Sequence, residues 1–217
     1  HMINSFKQKQ IYEALNWDVP KFAHIPLIHS EKGKKLSKRD NASTINDYIK
    51  IGIIPEALRN YLLRLGWSYK DKEIFSLKES IDLFSFEGIG KSPSKLDMSR
   101  ILSINETYIK TINERDLFEK LITFAQKFKT KIEESKKNKV MNSLHFLKNK
   151  AKTLEDIYNN SNYILTDNLK ILSDDKSLID KKSKEIIINF VEEYEELSSL
   201  NRVNIETIIK SLINKHQ

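Results

Sequence analysis

Pro55-Glu56-Ala57-Leu58-Arg59-Asn60-Tyr61-Leu62-Leu63-Arg64-Leu65-Gly66-Trp67-Ser68 reads as a helix with its own punctuation. Proline stands in the first turn, where its missing N–H is no loss, and Gly66 stands at the far end as a stop. Ala57, Leu58, Tyr61, Leu62 and Leu65 recur at helical spacing and make one apolar face. Trp67 and Leu62 fit that face as core residues. Arg59 and Arg64 lie off it and are candidates for contact with phosphates.

Helical signals continue on both sides of this stretch. Ile3–Leu15 has the composition of a short helix, and Ser76–Phe84 opens with Ser76 and Glu79 at capping-box spacing. After a break at Ile89–Ser94, Asp97–Ile104 and Asn105–Ile109 read as helical. Beyond Asn113 there is no Pro or Gly, and helix-period segments fall near 114–132, 138–150, 153–163, 176–197 and 204–216. One strand is expected, at Phe22–Ile28, with Pro26 demoting it to an edge. The aperiodic, Lys/Gly-rich Ser30–Asn41 that follows reads as a loop. The expected fold class is therefore mainly α, with one boundary near Thr111–Asn113 and a helical bundle beyond it.

The 217 residues carry 37 Lys/Arg against 30 Asp/Glu, a formal net charge of +7, and the pI is about 9.3. Residues 1–112 hold 18 basic against 13 acidic side chains, and 113–217 hold 19 against 17. Within the second part, 127–152 concentrates nine lysines against Glu133 and Glu134. A local basic stripe points to a polyanion; a solvated helix face has the same composition. The Lys, Ile and Asn bias of AT-rich coding accounts equally well for the net charge. With no cysteine, disulfides and thiolate zinc sites are excluded, and a reducing, cytoplasmic setting is expected. The five histidines never fall at metal-ligand spacing, so no structural metal is expected. No apolar run approaches the ~18 residues of a membrane span.

The sharpest chemistry lies in the loop. Lys34-Lys35-Leu36-Ser37-Lys38-Arg39 follows Gly33 and presents a hydroxyl among clustered cations just past a strand, where nucleotide phosphates bind in α/β folds. Lysine serves there as a mobile point charge that follows phosphate oxygens as charge develops on them. Read alone, this is also an ordinary lysine-rich surface loop.

Lys35-Leu36-Ser37-Lys38-Arg39 resembles the Lys-Met-Ser-Lys-Ser loop of class I aminoacyl-tRNA synthetases, in the form common among glutamyl enzymes. Val19–Ile28 resembles the strand leading into that loop, and Pro55–Ser68 the helix after it. Glu73–Ser76, Lys95–Asp97, Ile104-Asn105, Tyr108-Ile109 and Lys152-Thr153-Leu154 continue the pattern in order. The resemblance implies ATP, as its magnesium complex, as cofactor. Lys38 would stabilise the pyrophosphate leaving group, Lys35 would assist with phosphate, Ser37 would fix the loop's shape and Leu36 would anchor it, with Arg39 completing the ATP-binding set. Asp40-Asn41 departs from the usual His-Gly or Asp-Gly, and Asn tolerates the left-handed backbone that Gly supplies.

By the same resemblance, 1–41 is the end of a nucleotide-binding domain, 42–112 a stem-contact domain and 113–217 an incomplete anticodon-binding domain. Arg59, Arg64, Lys148, Lys150 and Lys152 are the implied tRNA contacts. The implied partners are glutamate, ATP and the tRNA for glutamate, for a protein expected to be monomeric. Family members that reject the glutamine tRNA place an Arg near Lys148-Asn149-Lys150. Lys150 reads a base edge less selectively, so charging of the glutamine tRNA as well is expected. No His-Ile-Gly-His-like segment occurs in the 217 residues. The resemblance therefore implies a piece of a longer enzyme, inactive alone. A glutaminyl enzyme, whose anticodon half is usually β-barrel, and a free-standing helical RNA-binding module are the two alternatives.

Overall fold

A computed structural model describes residues 2–30, 33, 44–167, 176, 179–199 and 201–216. Its elements are α1 (Met2–Ala14), β1 (Ile28–His29), α2 (Ile45–Lys50), α3 (Pro55–Gly66), α4 (Leu77–Leu83), β2 (Ser94–Lys95), α5 (Met98–Thr111), α6 (Glu114–Phe128), α7 (Glu134–Leu147), α8 (Leu154–Asn160), α9 (Asn162–Leu165), α10 (Lys181–Glu195) and α11 (Arg202–His216). Packing divides the chain into two compact units, His1–Thr166 and Asp167–Gln217. The 112/113 position lies inside the first unit, at the α5–α6 junction.

In the first unit α3 packs on α5, and one apolar core runs from Tyr48 through Ile54, Leu58, Ile101, Ile109, Leu117, Leu121 and Leu144 to Ile157. Helix starts follow local chemistry. Ser76 accepts from the Glu79 N–H while Glu79 accepts from the Ser76 N–H, the box read in the sequence. Thr44 and Asp47 make the same reciprocal box on α2, a helix missed because its six residues show no periodicity. Asp97, Asn113 and Thr153 cap α5, α6 and α8 with their side chains.

Several expectations are corrected. The strand expected at Phe22–Ile28 is reduced to Ile28–His29, pairing in parallel with Ser94 and Lys95. The partner offers only two residues, and Pro26 has no N–H to extend the ladder. The helix foreseen at Pro55–Leu65 runs through Gly66 and is capped by Trp67. Trp67 is buried, but Leu62 is 44% exposed. The buried arc of α3 extends instead toward Asn60, whose amide donates to Glu73 O at 2.8 Å and accepts from Phe75 N at 2.7 Å. The two segments 97–104 and 105–109 form the single helix α5. The helix expected at 138–150 begins four residues earlier and ends at Leu147 in a 3-10 turn, Lys148–Lys150.

The second unit is a helical pair. α10 and α11 bury Ile208 and Leu212, Phe190 stacks on Tyr194 with ring centres 6.0 Å apart, and Ile186, Ile187 and Ile213 line the groove between the helices.

Candidate functional site

Lys35, Leu36, Ser37, Lys38 and Arg39 lie outside the described residues. What the structure does describe is the pair of anchors from which that segment departs and to which it returns. On the incoming side, Leu96 N donates to His29 O at 2.9 Å, extending the β1–β2 pairing. The Ser94 hydroxyl in turn donates to Leu65 O, so β2 is fixed to the last turn of α3. On the outgoing side, the Thr44 N–H donates to Asp47 Oδ2 at 2.7 Å and its Oγ1 accepts from Asp47 N. The Thr44 N–H and the Thr44 hydroxyl, which donates to Asp47 Oδ2 at 2.9 Å, hold the Asp47 carboxyl below its ordinary pKa, with Lys50 adding a smaller Coulombic pull. Beside the incoming anchor, residues 21–26 face Phe86 and 89–91 across a cleft of about 720 Å³ that includes Lys21 and Lys91.

Two residues past α2, Gly52 is tied into a buried polar centre. Gly52 has φ +86°, and a Cβ there would stand 2.6 Å from Glu155 N and 2.7 Å from Leu154 N. That closeness lets Gly52 O accept from Leu154 N at 3.0 Å. Asn105, fully buried on α5, completes the centre. Its Oδ1 accepts from Ile54 N at 2.9 Å, and its Nδ2 donates to Lys152 O at 2.6 Å and Gly52 O at 3.3 Å. The element after the loop and the turn carrying Lys150 and Lys152 thus share one hydrogen-bonded centre. Asn105 was legible only as a landmark; nothing in a single Asn signals three backbone partners.

A second polar centre orders α3 and the chain after it. Tyr108 donates its hydroxyl to Phe75 O at 2.7 Å beside the Asn60 amide, and burial pushes its pKa up. Tyr61 accepts from Asp97 N at 2.7 Å, and burial raises its pKa too. Trp67 donates to Ser85 O at 3.0 Å and packs against Tyr69, Phe75 and Phe84.

The expected RNA contacts fall into two groups on separate elements. Lys148, Lys150 and Lys152 share the turn before α8. Lys150 and Lys152 are exposed, while the Lys148 ammonium reaches Glu114 Oε1 at 3.3 Å and Ile112 O at 3.4 Å with its side chain only 14% exposed. Of the stripe's other lysines, Lys129 pairs with Glu155, Lys137 with Glu134 at 2.6 Å, and Lys136 donates to Leu165 O at 2.6 Å. Much of the stripe's charge is therefore spent inside the molecule. On α3, Arg64 is 17% exposed, its Nε and Nη1 are buried without a hydrogen-bond partner among the described residues, and its Nη2 lies 4.0 Å from Glu73. Arg59 also buries an Nε with no hydrogen-bond partner among the described residues. Arg100, which the sequence reading passed over, donates to the same Glu73 oxygen at 2.5 Å.

Comparison with known proteins matches these two regions to two family models. "tRNA synthetases class I (E and Q), catalytic domain" covers residues 1–103, and "Anticodon binding domain" covers 116–217. A glutamate–tRNA ligase of Pelagibacter ubique is 62% identical across all 217 residues. Along its whole length the chain matches glutamyl-tRNA synthetases of class I. A second glutamate–tRNA ligase, from Ehrlichia ruminantium, is 37% identical over the whole chain. This chain spans 47% of the length of each of these two synthetases. A solved glutamyl-tRNA synthetase from Elizabethkingia anophelis superposes with TM-score 0.63 at 26% identity, covering 95% of this chain and 44% of that one. A glutamate–tRNA ligase from Elizabethkingia meningosepticum, solved with its amino acid, gives TM-score 0.72 at 24% identity over the same shares and supports the fold. The helical second half and these relatives favour the glutamyl synthetases over the glutaminyl and free-standing alternatives.

Proposed function

We propose that this chain is the part of a glutamate–tRNA ligase that carries the ATP loop, the tRNA stem contacts and the first anticodon-binding helices. The observation that carries the reading is the double anchoring of residues 31–43, between β1, paired to β2, and the Thr44-capped start of α2. Fixed ends with clustered cations between them suit a polyphosphate, whose oxygens lysine follows without imposing a fixed geometry. The donor set fits ATP with its magnesium, and a metal carried by the phosphates asks for no carboxylate cluster of the protein.

ATP, when bound, would supply the adenylyl group that activates the glutamate carboxylate as an adenylate, with pyrophosphate leaving. Lys38 holds the charge that grows on the departing oxygens, and Lys35 shares the phosphates and keeps the loop over them. Ser37, Leu36 and Arg39 shape and seat the loop. Arg59 and Arg64 contact tRNA phosphates from α3, and Lys150 and Lys152 do so from the turn before α8. Lys148 stands in the same turn and acts mainly by holding it to the α5–α6 junction. Lys150 occupies the base-reading place with a single point charge, so the ligase accepts the glutamine tRNA beside the glutamate tRNA.

Aminoacylation by the full-length ligase tests this reading. Radiolabelled glutamate, in the presence of ATP, is expected to be joined to both tRNAs. Glutamine joined in place of glutamate overturns the assignment. A strong preference for the glutamate tRNA overturns the role given to Lys150 alone.

A further inference from the structure

Glu73 sits where an anion belongs. It lies between α3 and α4, with its side chain 59% exposed, and one of its oxygens is bonded by Arg100 and faced by Arg64. Arg100 reaches that oxygen at 2.5 Å from the first turn of α5, and Arg64 stands 4.0 Å away in the last turn of α3. The Glu73 backbone is pinned because its carbonyl accepts from Asn60. Arg64 buries its Nε and Nη1 with no hydrogen-bond partner among the described residues, and the 4.0 Å separation leaves its Nη2 short of a hydrogen bond with the carboxylate. Arg100 is steadied from behind by Asp97, whose Oδ1 accepts from the Arg100 backbone N–H at 3.1 Å. The neighbouring Lys72 is paired with Glu79.

We infer that Glu73 is a built-in stand-in for an RNA phosphate, and that tRNA binds by displacing its carboxylate from Arg64 and Arg100. The inference rests on the proposed tRNA-binding role of α3 and deepens it by adding Arg100 as a contact and Glu73 as its internal competitor. An exposed pair of this kind is weak and gives way readily. Arginine's fork suits either anion, and a phosphate gains the release of the RNA's own counterions, which a carboxylate does not. Glu73 keeps the two guanidiniums in position in the free protein, while its charge discourages stray anions.

Filter binding of a glutamate-tRNA transcript to the 217-residue chain at low salt tests this. Glu73→Gln is expected to bind about fivefold tighter, the effect of removing one like charge about 4 Å from a phosphate in a water-like medium. Arg100→Ala is expected to bind about fivefold weaker, and combining the two should abolish the gain. Circular dichroism melts of each variant give a fold check, because the Glu73 backbone carbonyl bonded to Asn60 is kept. A wild-type chain that binds while Glu73→Gln binds equally or more weakly overturns this inference alone. A wild-type chain that binds no tRNA overturns it together with the reading beneath it.

Discussion

At Gly52 a single hydrogen in place of a side chain decides whether two segments can touch. Its φ of +86° disfavours any L side chain, and the Leu154 and Glu155 amides leave no room for a Cβ. Gly52→Ala is expected to destabilise the first unit by about 2 kcal/mol or more, read as a lower midpoint in urea. Asn105 supplies the matching polar half of that contact. Asn105→Ala leaves buried backbone groups unsatisfied, each worth about 1–3 kcal/mol. The lysines of the following turn separate by the same reasoning. Lys148→Ala should lower stability and leave RNA affinity nearly unchanged, since its ammonium already faces Glu114 and Ile112. Lys152→Ala should do the reverse, and a filter-binding series alongside melts distinguishes the two.

Caps are the working units at the scale of elements. Thr44 starts the six-residue α2 at the outgoing end of the loop, and such a short helix has little else to hold it. Thr44→Ala is expected to cost about 1 kcal/mol and to fray α2, seen as faster amide exchange over 45–50. The Ser76–Glu79 box has a pH signature. Lys72 and the Ser76 backbone and hydroxyl hold the Glu79 carboxyl down to about 2, from 4.5. A carboxyl depressed in the fold stabilises above its unfolded value, so this contribution is complete above pH 4.5 and fades as pH falls toward 2. Glu79→Gln should flatten that part of an acid melting profile.

The elements also mark what the sequence could and could not give. Ser76 with Glu79 was readable because a cap is a local pattern, and α6 because four apolar positions repeat along fifteen residues. The Thr44 box carries the same chemistry and escaped notice for want of an apolar period behind it. The burial of Asn60 in place of Leu62 depends on Glu73 and Phe75, thirteen and fifteen residues on, and no periodicity encodes a partner at that distance. Among candidate site residues, the cations were readable by type. Their engagement was not, since Glu114 takes Lys148 and Glu73 takes Arg100 through tertiary packing.

For the molecule as a whole, the count of 37 Lys/Arg overstates the cations that stand free to meet RNA. The ion pairs of Lys120, Lys129, Lys137 and Lys148 occupy part of the positive surface. Binding through about three or four phosphates is the expected scale, so tRNA affinity should fall roughly 10²-fold between 50 and 200 mM salt. The central claim concerns one residue of the full-length ligase, Lys38, and the rate of tRNA glutamylation tests it most directly. Removing a charge aimed at the leaving pyrophosphate is expected to lower kcat by roughly 10²–10³-fold in Lys38→Ala, with the melting temperature unchanged. A Lys38→Ala enzyme that charges tRNA at the wild-type rate would contradict the account.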